Sequence, residues 1–183
     1  PPFLYSLTSG SWAQVVPQPE RQAPKTQGWS IFPGIQVGEI FTDNIGLAPA
    51  GKEKSDFVTE ISPYIQINGR SPREKLDLNY RMQTFFYSQT KGGENIYHLL
   101  NANSNTELVK NLLYFDGAGY LSQQLISPTG QVFLGNFTQT GNRTDVRTYV
   151  LSPYLQHAFG TTATGQLRYS RSATSYTKVS QAD

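Results

Sequence analysis

Cysteine is absent from the 183 residues, which excludes disulfides and thiolate metal sites. Charge is scarce as well. Asp, Glu, Lys and Arg make up 15% of the chain and sum to +2, and no run of Lys or Arg points to nucleic acid. Apolar residues stop at 37%, and no window approaches the ~18 consecutive apolar residues of a membrane helix. No HExxH, P-loop, dinucleotide-binding glycine loop or EF-hand occurs. What fills the space is Ser, Thr, Asn, Gln, Gly and Tyr, a blend that favours strands and turns over helices.

By length the chain is one domain. It opens "PPFLYSLTSGSW", with neither the basic nor the apolar region of a signal peptide. The stretch "PQPERQAPKTQG" at 17–28 is rich in Pro and Gln, so residues 1–28 read as an extension ahead of a folded part at 29–183.

From Trp29 onward the pattern has a period of two. In 29–42, Trp29, Ile31, Pro33, Ile35, Val37 and Phe41 alternate with Ser30, Gly34, Gln36 and Thr42. The run 57–68 sets Phe57, Ile61, Pro63, Ile65 and Ile67 against Glu60, Ser62, Tyr64, Gln66 and Asn68. In 75–88, Leu76, Leu78, Tyr80, Met82 and Phe86 oppose Lys75, Asp77, Asn79, Arg81 and Gln83. Runs at 97–107, 112–125 and 145–159 continue the theme, and a seventh starts at Gly165 and weakens at Arg171. The intervening segments alternate between short (68–74, 108–111, 160–165) and long, polar and Gly-rich (43–56, 89–96, 127–144). An antiparallel up-and-down meander follows, with short turns at one end and long loops at the other.

Alternation alone does not say which face is inside. In a soluble barrel or sandwich the apolar stripe is the core; in a transmembrane barrel it meets lipid and the polar stripe lines the lumen. The runs are roughly 11–15 residues, against about 5–6 for an average strand, and a tilted bilayer-spanning strand needs about 9–11. The loop alternation matches the short periplasmic turns and longer outer loops of outer-membrane barrels. Aromatic residues gather toward run ends, as headgroup interfaces select. These features favour an all-β, antiparallel up-and-down transmembrane β-barrel. Three prolines interrupt otherwise good strands: "IFPGIQVG", "ISPYIQING" and "LSPYLQHAFG" hold Pro33, Pro63 and Pro153. Their placement is expected near the short-turn rim, where a missing ladder bond meets water, or else at a bulge or edge.

The segments "LNANSNTELVKNLLYFDGAGYLSQQLISPTG" (100–130) and "NRTDVRTYVLSPYLQHAFGTTATGQLRYS" (142–170) resemble the PEP-CTERM-system-associated outer-membrane β-barrel family. The similarity spans about 29–170. It implies a porin-like bacterial outer-membrane barrel that accompanies exopolysaccharide loci, and it brings no catalytic residues. Seven alternating strands leave the last heading outward at "SQAD", whereas closed bacterial barrels have an even number. An incomplete barrel is therefore expected.

The polar stripe supplies the candidate lumen-lining residues: Glu60, Tyr64, Asp77, Arg81, Asn101, Asn103, Glu107, Tyr114, Asp116, Tyr120, Tyr154 and Arg168. Opposed charges there can tune passage of polar solutes, or form satisfied cross-strand pairs that plug a narrow interior. His98 and His157 lack a surrounding serine or carboxylate motif, so no enzyme, metal or cofactor is expected. The expected function is passage or secretion of polar solute or exopolysaccharide, with lipid as the surrounding partner and no nucleic acid. Two alternatives stand beside it: a structural barrel that anchors or surrounds another envelope protein, and a soluble ligand-binding β-barrel.

Overall fold

A computed structural model describes residues 28–91 and 96–177. The extension at 1–28 falls outside them except for Gly28, which already belongs to the first strand. Among the described residues every regular element is a strand: β1 (Gly28–Thr42), β2 (Asp56–Arg70), β3 (Glu74–Tyr87), β4 (Ile96–Val109), β5 (Leu113–Leu125), β6 (Arg143–Phe159), β7 (Ala163–Arg168) and β8 (Arg171–Tyr176). Neighbours in sequence pair antiparallel from β1 to β7, and β8 pairs with β6. The sheet is not closed: no ladder joins β1 to β7 or β8.

β7 and β8 are two halves of one strand. Tyr154 opposes Arg168 and Leu151 opposes Arg171, so both halves share one register against β6. The run that weakens at Arg171 in the sequence therefore continues to Tyr176. The ladder between β2 and β3 has a similar gap: Ile61↔Thr84 and Tyr64↔Arg81 hold one register while the positions between them go unpaired. Both gaps contain a proline, and neither shifts the register, so neither is a bulge. The register does shift elsewhere, between Glu107 and Val109. Pro33, Pro63 and Pro153 occupy the middle third of β1, β2 and β6, not the short-turn rim.

Successive ladders are strongly staggered. Following partners from Gly28 leads to Arg70, Lys75, Asn105, Asp116 and Ser152, yet β6 continues beyond that residue to Phe159. At about 3.3 Å per residue along a strand and about 4.8 Å between strands, this slant corresponds to a strand tilt of about 40–45°.

The polar stripe is the inner face. Side chains from strands two apart meet on it: Arg81 of β3 donates to Gln36 of β1 at 3.3 Å, Asn105 of β4 to Tyr154 of β6 at 3.3 Å, and Arg168 of β7 to Asp116 of β5 at 2.6 Å. Backbones two strands apart lie nearly 10 Å from each other in a flat sheet, so these repeated bridging contacts favour a sheet that curls toward the polar side, here the concave side. The apolar stripe points the other way and stays exposed, with Ile35 at 66% and Leu167 at 73%. Trp29 lies on this outer side with its ring over Gly69, where an added Cβ would come within 2.8 Å of the ring.

The buried apolar core is small and sits at the long-loop end. Ile45, Val58, Phe85 and Tyr97 form it, with Ile40, Tyr87 and Phe137 packed against them. Ile45 and Phe137 come from two of the three long loops, the first and the third, which are tied together by Gln139 N–H donating to the Ile45 carbonyl at 2.9 Å. Tyr87 Oη donates to the Phe137 carbonyl at 2.9 Å. Arg143 donates to the carbonyl of Asn136 at 3.0 Å and to the Tyr97 hydroxyl. The loops thus fold over one end of the concave face.

Candidate functional site

The ladder registers place every candidate residue on the concave face. Tyr64 opposes Arg81, Asp77 opposes Asn103, and Asn101 opposes Tyr120. Glu107 opposes Tyr114, which opposes Tyr154, which opposes Arg168. Glu60 shares the parity of Tyr64 on β2. Period-two side-chain alternation makes this consequence automatic once the register is known.

Three groups form within that face. Toward the short turns, Arg168 pairs with Asp116 at 2.6 Å and lies over the Tyr154 ring at 4.0 Å. Tyr154 stacks on Tyr114, with centroids 5.1 Å apart, and Tyr114 donates to Glu107 at 3.5 Å. Nearby, Arg70 Nη2 donates to both oxygens of Asp77 at 2.6 and 2.7 Å, while its Nη1 donates to the carbonyls of Gly69 and Leu76. Asp116 and Asp77 are thus each paired with an arginine, whereas Glu107 accepts from the Tyr114 hydroxyl and the Asn111 N–H.

Toward the long loops an amide relay starts on this face. It passes where β4 and β5 part to Gln123 and Asp145, which by register belong to the same stripe as Leu121 and Arg147. Gln83 donates to Glu60 at 2.9 Å, and Glu60 also accepts from Ser62. Asn136, from the loop, donates to Gln83 at 2.7 Å and to Gln123 at 3.1 Å, and Gln123 donates to Asp145 at 3.0 Å. Pairing between β4 and β5 stops at Leu100↔Leu121, which opens the space that Gln123 uses. Asn136, Gln123 and Asp145 carry no signal in the strand pattern that would nominate them; the loop's return onto the sheet is what recruits them.

The middle zone is different. Tyr64, Gln66, Asn79, Arg81 and Asn101 line an open groove of about 330 Å³ together with Tyr80, Leu99, Leu100 and Leu121. Arg81 sits 5.6 Å from the Tyr64 ring centroid. Tyr64 keeps its ring against the backbone of Gly34, where an added Cβ would come within 2.3 Å of the ring. Tyr120 donates to Asn103 at 2.8 Å, and Asn103 to Asn101 at 2.8 Å.

On the outer face, His98 shares a 2.8 Å hydrogen bond with Tyr80, and His157 sits edge-on to Phe159. Glu39, near the long-loop end, accepts from Thr59 at 2.9 Å. The exposed Arg147 and Arg171 interrupt the apolar stripe on β6 and β8. Among the described residues, no three His, Asp or Glu side chains gather as a metal site would need. No family model, curated protein or solved structure matches the chain.

Proposed function

We propose that the chain is the wall of a bacterial outer-membrane β-barrel whose polar inner face lines a path for polar solutes, among them exopolysaccharide. The observation that carries this reading is the inversion of the sheet. Its networked polar side is concave, while Trp29, Ile31, Ile35, Val37, Phe41, Phe57, Leu151 and Leu167 lie exposed on the convex side. An exposed apolar surface of this extent marks contact with lipid or with another protein. Among the described residues no second sheet covers it. Strand lengths of 13–17 residues in β1 to β6 and a tilt of about 40–45° suit a bilayer span of outer-membrane type. The polysaccharide part rests on the resemblance of 100–130 and 142–170 to barrels that accompany exopolysaccharide loci, and the inner face offers the tyrosines and amides that polyhydroxylated solutes use.

Planar-bilayer recording on the refolded full-length protein tests the reading. Discrete conductance steps, together with co-sedimentation of the native protein with outer membranes, are expected. A protein that stays monomeric in water without detergent would overturn it.

A second reading has its own observation. Two of the three long loops cover one end of the concave face, and the amide relay crosses from β2 to β6 through Asn136. A sealed end of this kind suits a sleeve that docks another envelope component. Membrane association without conductance would favour it.

A further inference from the structure

The concave face stacks an arginine on a tyrosine twice, and the two pairs differ in one respect. Arg168 on Tyr154 is neutralised by Asp116 at 2.6 Å. Arg81 on Tyr64 donates to the neutral amide of Gln36 at 3.3 Å, and no carboxylate of the described residues lies within ion-pair distance of it. The ladder explains the isolation. Across β1, β2, β3 and β4 its row reads Gly34, Tyr64, Arg81, Leu99, and the next row reads Phe32, Gln66, Asn79, Asn101, Tyr120. Neither row holds an acid. The nearest inner-face carboxylates along the strands are already engaged, Asp77 by Arg70 and Glu60 by Ser62 and Gln83.

The groove beside Arg81 exposes more carbon than polar surface, from Leu99, Leu100, Leu121 and two tyrosines, and sets a few polar groups among that carbon. Among the described residues the side-chain amides of Gln66 and Asn79 have no hydrogen-bond partner, and both residues are exposed. Each amide can donate and accept, as vicinal hydroxyls require. The Tyr64 ring, seated on Gly34 where no side chain intrudes, offers the part of its surface that Arg81, 5.6 Å from its centroid, leaves uncovered. A guanidinium presents a planar fork that fits a carboxylate through two parallel bonds.

We propose that this groove is a subsite for a carboxylate-bearing sugar, the Arg81 guanidinium taking the carboxylate, the Tyr64 ring taking a sugar face, and Gln66 and Asn79 taking hydroxyls. The inference rests on the pore reading and deepens it by naming an acidic sugar as the solute class. Inorganic anions satisfy the guanidinium alone, and neutral sugars satisfy the ring and amides alone. An acidic sugar satisfies all of them.

The test uses the full-length protein in bilayers and in detergent micelles, with trigalacturonate, maltotriose and sulfate as probes. Trigalacturonate is expected to bind by calorimetry and to interrupt conductance at lower concentration than either control. Arg81→Gln is expected to weaken trigalacturonate binding about tenfold, the size of one charge-assisted hydrogen bond, with maltotriose unchanged. Arg81→Lys, which keeps the charge and loses the fork, should fall between. Arg147→Gln, on the outer stripe of β6, should leave trigalacturonate binding as it was. Equal binding of trigalacturonate and maltotriose, equal binding of sulfate and trigalacturonate, or indifference to Arg81→Gln would each overturn the subsite while leaving a conducting pore intact. Absence of conductance with retained Arg81-dependent binding would instead remove the pore and keep the subsite.

Discussion

The backbone N–H of Tyr169 donates to the carbonyl of Pro153 at 3.0 Å, and the imide nitrogen of Pro153 has no hydrogen to return. One ladder position is thus half-made, and the seventh strand is interrupted there without changing register. Strand residues alternate the side to which they offer N–H and C=O. Pro63 therefore presents its missing donor to β3, where the ladder lapses, and by the same parity Pro33 presents its own to the unpaired edge of β1. All three prolines keep the neighbouring ladders β1–β2 and β5–β6 continuous. Proline is tolerated in these strands because each sits with its bare nitrogen on one chosen side.

Pro153→Val follows from that geometry. The substitution restores a donor opposite Tyr169, a gain of about 0.5–1.5 kcal/mol for a hydrogen bond, offset by about 0.4–1 kcal/mol of lost preorganisation. Net stability should move by less than about 1 kcal/mol. Hydrogen exchange should show a newly protected amide at 153 with the pairing of 143–151 against β5 unchanged. A shifted register would contradict the account.

Ile35→Arg distinguishes lipid from water outside the sheet. Ile35 is 66% exposed in the middle of β1, so in water the change should cost no more than about 0.5 kcal/mol. Against hydrocarbon an arginine at midplane costs about 2–4 kcal/mol. Urea unfolding of the variant in lipid vesicles should show the larger penalty. Gln36→Arg, one residue along and on the concave side, should show little of it.

Much of this architecture was legible in the sequence because period-two alternation is a local property. Six of the long runs are strands, and the residues nominated for the inner face share it. The polar-in arrangement was not legible from alternation itself; it needed the cross-sheet contacts of Arg81 with Gln36 and Arg168 with Asp116. The small core was hidden too. Ile45 and Phe137 sit 92 positions apart in long loops, with Leu47 near one and Phe133 and Leu134 near the other, so nothing local singles them out, and only the fold brings them to Val58 and Phe85. Val58 and Phe85 themselves fall on the polar stripe, where alternation gives no reason to single them out. The amide relay through Asn136 depends on the same loop and was equally out of reach.

Asp56 stands just ahead of the alternating run 57–68, at the long-loop rim, and is fully buried. Its carboxylate accepts from the backbone N–H groups of Ser88 and Gln89 at 3.0 Å and of Thr90 at 2.8 Å. Burial alone would raise its pKa, but the hydrogen bonds from Thr90, Gln89 and Ser88 outweigh it and hold the carboxyl below its ordinary value. A lowered folded-state pKa means the stabilisation is complete above the unfolded value near 3.9 and is lost as pH falls through the folded one. Exchange at 88–90 should therefore stay slow down to about pH 4 and accelerate below it. Asp56→Ala leaves three donors without their acceptor and should cost about 1–3 kcal/mol, with its effect on exchange at 88–90 independent of acid.

Ile45→Ala probes whether the loop cluster seals the concave face. Ile45 is 3% exposed and packs with Val58, Phe85 and Tyr97, so its truncation removes buried methyls and leaves a void costing about 2–4 kcal/mol locally. Because Gln139 holds the third loop to the Ile45 carbonyl, loosening the first loop loosens both. In bilayers the variant is expected to conduct more, or to flicker more often to a higher level, than the parent protein. Leu134→Ala supplies the control: Leu134 lies in the same long loop as Phe137 but is 81% exposed, and its truncation should change neither stability nor conductance. If Ile45→Ala lowers stability while conductance stays at the parental level, the loops are packing elements beside the path and the obstruction lies in the relay from Glu60 to Asp145.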